Sequence, residues 1–254
     1  MSARLFLAEG PQAVREALEL TDCVVEVFVT DDAATRHSDL ASRAHDLGAS
    51  WHLVEDVALA SLTDTVSPQG LVAVCRFVDV TLEQVIEASP RLVAVCADIR
   101  DPGNAGAVIR CADAAGADGV ILAGNSVDAY NSKVVRASVG SIFHLPVVRD
   151  APVGEAISGL RAAGCQVLAA DGNGQASLDD VLDAGQLAGP TAWLFGNEAW
   201  GLPEQTQALA DHVVAIPIYG RAESLNLATA SAICLYASAR AQRNTPKDPS
   251  LKSP

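Results

Sequence analysis

The stretch Arg91–Arg110, RLVAVCADIRDPGNAGAVIR, decides the fold. Its first half is a short apolar run dominated by Val and Ala, the pattern of a strand buried on both faces. Asp101-Pro102-Gly103 breaks that run, and Asn104 opens a segment with helical spacing. The unit is therefore strand, glycine-bearing turn, helix. It recurs along the chain. Strand-like runs stand at 92–97, 119–123, 145–148, 166–170, 191–195 and 212–218, and helical patterns follow at 105–115, 132–139, 153–162, 178–183, 203–210 and 225–241. Strict alternation predicts a mostly parallel sheet with helices on both faces. Open sheets of this kind bind ligands beyond the carboxyl ends of their strands.

Upstream, a smaller α/β unit is expected over residues 1–76. Gly10-Pro11 marks a turn before a helix through Val14 and Leu18. VVEVFVT at 24–30 reads as a strand, SDLASRAHDLGA as a helix ending near Gly48, Trp51–Val54 as a short strand, VALASLTDT as a third helix, and 69–77 as an apolar strand. Residues 77–90 read as a linker with a short helix, 91–241 as the larger domain, and the Pro-, Ser- and Lys-rich segment 242–254 as a disordered tail.

Half of the 254 residues are hydrophobic but only 4% are aromatic, so the core must be built from Ala, Val, Leu and Ile. No apolar run approaches the ~20 residues of a membrane span. MSARLFLAEG has no basic segment followed by an apolar one, so no secretory leader is expected and the cytoplasm is the default location. The six cysteines (Cys23, Cys75, Cys96, Cys111, Cys165, Cys234) are scattered, without CxxC spacing, and read as buried reduced thiols; neither they nor the five histidines have metal-ligand spacing. The net charge of −14 opposes nucleic-acid binding, which needs Lys and Arg. It is unevenly spread, with −8 over residues 1–75 and −6 over 76–254. The second segment keeps Arg100, Arg110, Lys133, Arg136, Arg149 and Arg221 in or near its loops. Local potential decides contact with an anionic ligand, so a basic patch on an acidic protein can still meet RNA.

Three glycine-bearing polar segments end strands. In Asp101–Arg110, Gly103 permits the turn, Asn104 suits an N-cap, and Gly106 leaves room for a backbone or ligand. Arg110 follows Asn104 by six residues, about a turn and a half of helix. In Leu194–Pro203, two glycines bracket Asn197-Glu198, a loop able to offer backbone amides and carbonyls. In Ile216–Asn226, Ser224 or Asn226 can cap an Ala-rich helix whose small face (Ala228, Ala232, Ala239) suits either core packing or a close subunit contact. Each segment alone also fits a plain cap, a surface ion pair or a solvated loop. GNAG matches only part of a dinucleotide fingerprint, because Val108 takes the third glycine position and Gly124-Asn125-Ser126 stands where an acidic ribose binder belongs.

Taken in order, the segments NxGxxxR (Asn104, Gly106, Arg110), FGNExxGL (195–202) and IPIxGxxxSLN (216–226) resemble the three signature motifs of the SpoU (TrmH-type) RNA ribose 2′-O-methyltransferases of the SPOUT superfamily. FLAEGPQAV and VSPQGLVAV likewise resemble that family's ribosomal-protein-like substrate-binding domain. The resemblance implies a C-terminal α/β sheet with a deep trefoil knot, preceded by that small α/β domain. It implies S-adenosylmethionine as cofactor, no metal, RNA as partner, and a homodimer with active sites at the subunit interface. It implies catalytic or orienting roles for Arg110, Asn104, Glu198, Ser224 and Asn226, with Arg110 as base or hydroxyl-orienting group. It places the cofactor against Gly196, Asn197, Ile216, Ile218, Leu225 and Leu227. Large-subunit rRNA is the expected substrate by analogy with two-domain members; tRNA methylation and non-catalytic RNA or ribosome binding are the alternatives.

Overall fold

The computed structural model describes residues 4–65 and 67–244. The first unit contains β1 (Leu5–Glu9), α1 (Pro11–Ala17), β2 (Val24–Val29), α2 (Asp31–Arg36), α3 (Ser38–Asp46), β3 (Ser50–Leu53), α4 (Asp56–Ala60) and β4 (Leu71–Arg76). Its sheet has the order β1-β4-β2-β3, with only β2 and β3 parallel. Two of these elements, β1 and α2, lie beyond the expectation from sequence. β1 is a five-residue strand paired only to β4, too short for alternation to stand out beside the Gly10-Pro11 turn. α2 begins at a Thr30 cap that accepts from the Ala33 amide, and its polar DDAATR sequence carries no apolar stripe.

The connecting helix α5 (Leu82–Glu87) opens with a reciprocal capping box between Thr81 and Gln84. Beyond it come β5 (Leu92–Ala97), α6 (Pro102–Ala115), β6 (Gly119–Ala123), α7 (Ser132–Ser138), β7 (Val147–Ala151), α8 (Val153–Ala162), β8 (Gln166–Ala170), β9 (Ala176–Ser177), α9 (Leu178–Asp183), β10 (Thr191–Phe195), α10 (Glu204–Gln207), β11 (His212–Ala215) and α11 (Leu227–Asn244). The seven strands are all parallel in the order β7-β6-β5-β10-β8-β11-β9. β5, β6 and β10 are buried along their whole length, which explains their unbroken apolar sequences.

Alternation along β5 divides the core. Leu92, Ala94 and Cys96 face the side covered by α6, α7 and α11, whereas Val93, Val95 and Ala97 face α5 and α8. The first of these cores runs without a break into the small unit through Phe6, Val14 and Leu18. All six cysteines are free thiols; five are buried and Cys111 is half-buried. Burial pushes the Cys96 and Cys234 thiols well up, so they pack as small hydrophobes.

Two of the strand boundaries that differ from expectation have the same cause. Pro146 and Pro217 have no N–H for a ladder. β7 accordingly starts at Val147, and β11 stops at Ala215, leaving 216–218 free of the sheet. α11 continues to Asn244 where a tail was expected, and residues 245–254 of that tail lie outside the described residues. Among the described residues no helix is long and apolar enough to cross a membrane.

Candidate active site

A cleft of about 660 Å³ opens over the carboxyl ends of β8, β10 and β11. The segment 216–227, released from the sheet, forms one wall with Ile216, Ile218, Leu225 and Leu227, and Phe195 and Gly196 close the floor. Gly196 is needed there: a Cβ would stand 2.5 Å from the backbone carbonyl of Gly201. The loop after β10 is pinned into shape. Asn197 and Gly201 exchange backbone hydrogen bonds of 3.0 and 2.9 Å. The Asn197 amide group donates to the Asp98 carbonyl at 2.7 Å and its oxygen accepts from the Ala199 amide at 2.8 Å. The side chain and the backbone of Asn197 are thus both engaged in holding the loop that lines the cleft.

At the mouth, three side chains from three elements form a chain of hydrogen bonds. Asn226 Nδ2 donates to Asn104 Oδ1 at 3.0 Å, and Asn104 Nδ2 donates to Glu198 Oε1 at 3.2 Å. Asn226 also caps α11, its Oδ1 accepting from the Ala228 amide at 2.9 Å. Asn104 is not the cap of α6. Asp101 is, accepting from the Asn104 amide at 2.7 Å. That substitution of roles frees the Asn104 side chain for the cluster. Gly106 likewise serves helix packing: an added Cβ would lie 2.5 Å from the Val134 carbonyl of α7.

The sequence-selected residues Asn104, Gly196, Asn197, Glu198, Ile216, Ile218, Ser224, Leu225, Asn226 and Leu227 all line the cleft, and Arg110 does not. Arg110 is exposed farther along α6. Asp171 and Gly172 also line the cleft and were not selected. The signal for them was present: Asp171-Gly172-Asn173-Gly174 is a fourth polar, glycine-bearing segment after a strand. Asp171 is held by the Asn173 amide at 2.9 Å and by Gln207 Nε2 at 3.3 Å. The lining carries three carboxylates, Asp171, Glu198 and Glu223, and no Lys or Arg among the described residues. No group of three or more His, Cys, Asp or Glu among the described residues is arranged to hold a metal ion.

Aliphatic walls and an acidic lining, set at the carboxyl ends of parallel strands, are the features of an α/β enzyme's site for a mid-sized organic ligand. The comparisons make the class particular. Residues 91–236 match the SpoU rRNA Methylase family, and residues 7–80 match RNA 2′-O ribose methyltransferase substrate binding. The chain belongs to the SpoU family. It is 35% identical over 231 residues to the 23S rRNA (guanosine(2553)-2′-O)-methyltransferase RlmP of Bacillus subtilis (strain 168), covering 91% of this chain and 87% of that relative. The AdoMet-bound rRNA methyltransferase from Sinorhizobium meliloti superposes with a TM-score of 0.81 at 32% identity, covering 93% of this chain and 87% of that one. The SpoU methyltransferase AviRb from Streptomyces viridochromogenes, in complex with AdoMet, gives 0.80 at 32% identity, covering 94% and 91%. The fold is that of the SpoU methyltransferases.

Proposed function

We propose that this protein methylates a ribose 2′-hydroxyl of large-subunit rRNA, using S-adenosylmethionine. The hydrogen-bonded cluster Asn104–Glu198–Asn226 at the mouth of the cleft carries this reading, because it assembles residues of the three family motifs at one point. The cleft suits the cofactor. Ile216, Ile218, Leu225 and Leu227 offer apolar walls, Gly196 offers backbone groups on a loop that Asn197 holds in place, and an acidic lining without Lys or Arg favours a sulfonium cation. When bound, that cofactor supplies a methyl group already activated for transfer.

The residues of the chain have two tasks. A ribose hydroxyl is a weak nucleophile and must lose its proton. It must also be held in line for attack. Asn104, Glu198, Ser224 and Asn226 orient the ribose and its surroundings, and Arg110 holds or removes the hydroxyl proton. Arginine keeps its charge under ordinary conditions, so a phosphate of the target is the natural partner to assist it. Arg110 lies outside the cleft of its own chain, which supports a homodimer in which a second copy completes the site. The stripe Thr229, Ile233, Tyr236 and Arg240, exposed on α11 with Tyr236 68% accessible, offers a surface for that contact. Residues 1–76 act as the substrate-binding domain, 77–90 as linker and 91–241 as the catalytic domain of a cytoplasmic enzyme.

The test is transfer of labelled methyl into fractionated rRNA and tRNA. Label in large-subunit rRNA that survives alkaline hydrolysis as an uncleaved dinucleotide supports the proposal. Label confined to tRNA reassigns the substrate, and absence of label from every fraction and from ribosomal particles, with cofactor binding intact, identifies a non-catalytic binder.

A further inference from the structure

Trp200 is the one large side chain of the 197–201 loop, and it points away from the protein interior. It is 56% accessible, whereas Trp193 is fully buried and hydrogen-bonded to Ser238. Exposing an indole forfeits apolar burial that a residue of this size would otherwise contribute. The exposure is built in. The loop that carries Trp200 is fixed by the paired Asn197 and Gly201 backbone bonds, by both ends of the Asn197 amide, and by a left-handed Gly201 at φ 65°. The Arg100 guanidinium lies over the indole, 5.8 Å from the ring centroid. Trp200 does not line the cofactor cleft, whereas its neighbour Gly201 does. It follows Glu198 of the mouth cluster by two residues, a span of at most roughly 7 Å. That short backbone span sets the indole beside the cluster, on the side where a nucleotide adjoining the ribose would lie.

We propose that Trp200 and Arg100 form a stacking platform for a nucleobase of the RNA, beside the ribose presented to the Asn104–Glu198–Asn226 cluster. This rests on the RNA-methylating reading above. A flat, electron-rich indole with a guanidinium on it is the arrangement that binds unpaired bases through their faces, with little dependence on which base is present. Arg100 contributes both a planar partner and a charge near the phosphate chain. The platform also meets a difficulty of a chain with net charge −14, since stacking gives affinity that does not need a large basic surface.

The test is filter binding of labelled, protein-free 23S rRNA over a range of salt, with Trp200→Ala, Trp200→Phe and Arg100→Ala. Trp200→Ala is expected to weaken binding about tenfold at every salt concentration and to leave the log–log salt slope unchanged. Trp200→Phe should recover most of the loss, and Arg100→Ala should weaken binding and flatten the slope. In turnover with the same RNA, Trp200→Ala should raise KM with kcat within about twofold. Thermal stabilisation by S-adenosylhomocysteine, retained in all three variants, would certify the fold and the cleft. Unchanged RNA affinity in Trp200→Ala overturns the platform. So does an equal loss in Trp200→Ala and Trp200→Phe accompanied by a lower sedimenting mass, which makes Trp200 a subunit contact. If the wild-type chain binds 23S rRNA without methylating it, the substrate assignment fails while the binding series still decides the platform.

Discussion

A single exchange of roles at the start of α6 shows how one residue sets the site. Asp101 takes the N-cap, so the Asn104 side chain is free to join Glu198 and Asn226. Asn104→Ala should therefore leave cofactor affinity within about twofold, measured by calorimetry, and lower kcat by at least tenfold in a methyl-transfer assay. A fall in cofactor affinity of the same size as the fall in kcat would place Asn104 in the cofactor wall instead. Arg110→Ala should spare cofactor binding in the same way and reduce transfer by orders of magnitude; unchanged turnover would remove Arg110 from the mechanism. At this scale the sequence was informative because motif order is a local property. The cleft-lining residues from 196–198 and 216–227 could be named from it. The division of labour between Asp101 and Asn104 could not, because both are good caps and only the three-dimensional position of Glu198 favours one. Asp171 was overlooked although its DGNG segment has the character of the other three.

Elements pack where small residues permit it. Gly106 brings α6 against the backbone of α7, with an added Cβ 2.5 Å from the Val134 carbonyl. Gly106→Ala should force the helices apart at a cost of about 2 kcal/mol, lowering Tm by roughly 4–8 °C in calorimetry. A variant as stable as wild type would show that the α6–α7 contact relaxes freely. The first and second units are joined by a titratable contact as well. His144 Nδ1 lies 2.7 Å from Asp113 Oδ2 of α6 and Nε2 lies 3.0 Å from Glu16 Oε2 of α1. Burial opposes its charge, but the two carboxylates outweigh that, and its pKa is raised above the ordinary value. A raised folded-state value stabilises the protein fully below the unfolded pKa near 6.5 and loses that contribution as pH rises through the folded value. Urea midpoints of wild type and His144→Gln should differ most at acidic pH and converge as pH climbs through the folded value. Such side-chain meetings across 31 and 128 residues have no sequence signature, whereas the central strands β5, β6 and β10 do, since each is a largely apolar run buried along its whole length.

For the whole molecule, the parallel sheet was readable from alternation, but strand order was not. Alternation alone does not place β10 between β5 and β8, and that placement is what gathers three distant segments at one cleft. The same topology leaves Arg110 outside the cleft lining of its own chain. The proposed dimer resolves this if Arg110 serves the other copy's cleft, and that arrangement has a quantitative consequence. Arg110→Ala and Asn226→Ala should each be inactive alone. When the two are unfolded together, refolded as a mixture and allowed to pair at random, about half of the dimers contain one of each. If Arg110 acts across the interface, every such mixed dimer has one site carrying both substitutions and one site carrying neither, and about a quarter of wild-type activity returns. If Arg110 acts within its own chain, each site of the mixed dimer carries one lesion and the mixture stays inactive. The measurement is methyl transfer by the mixture against an equimolar wild-type control, with the sedimenting mass confirming that the chains have paired.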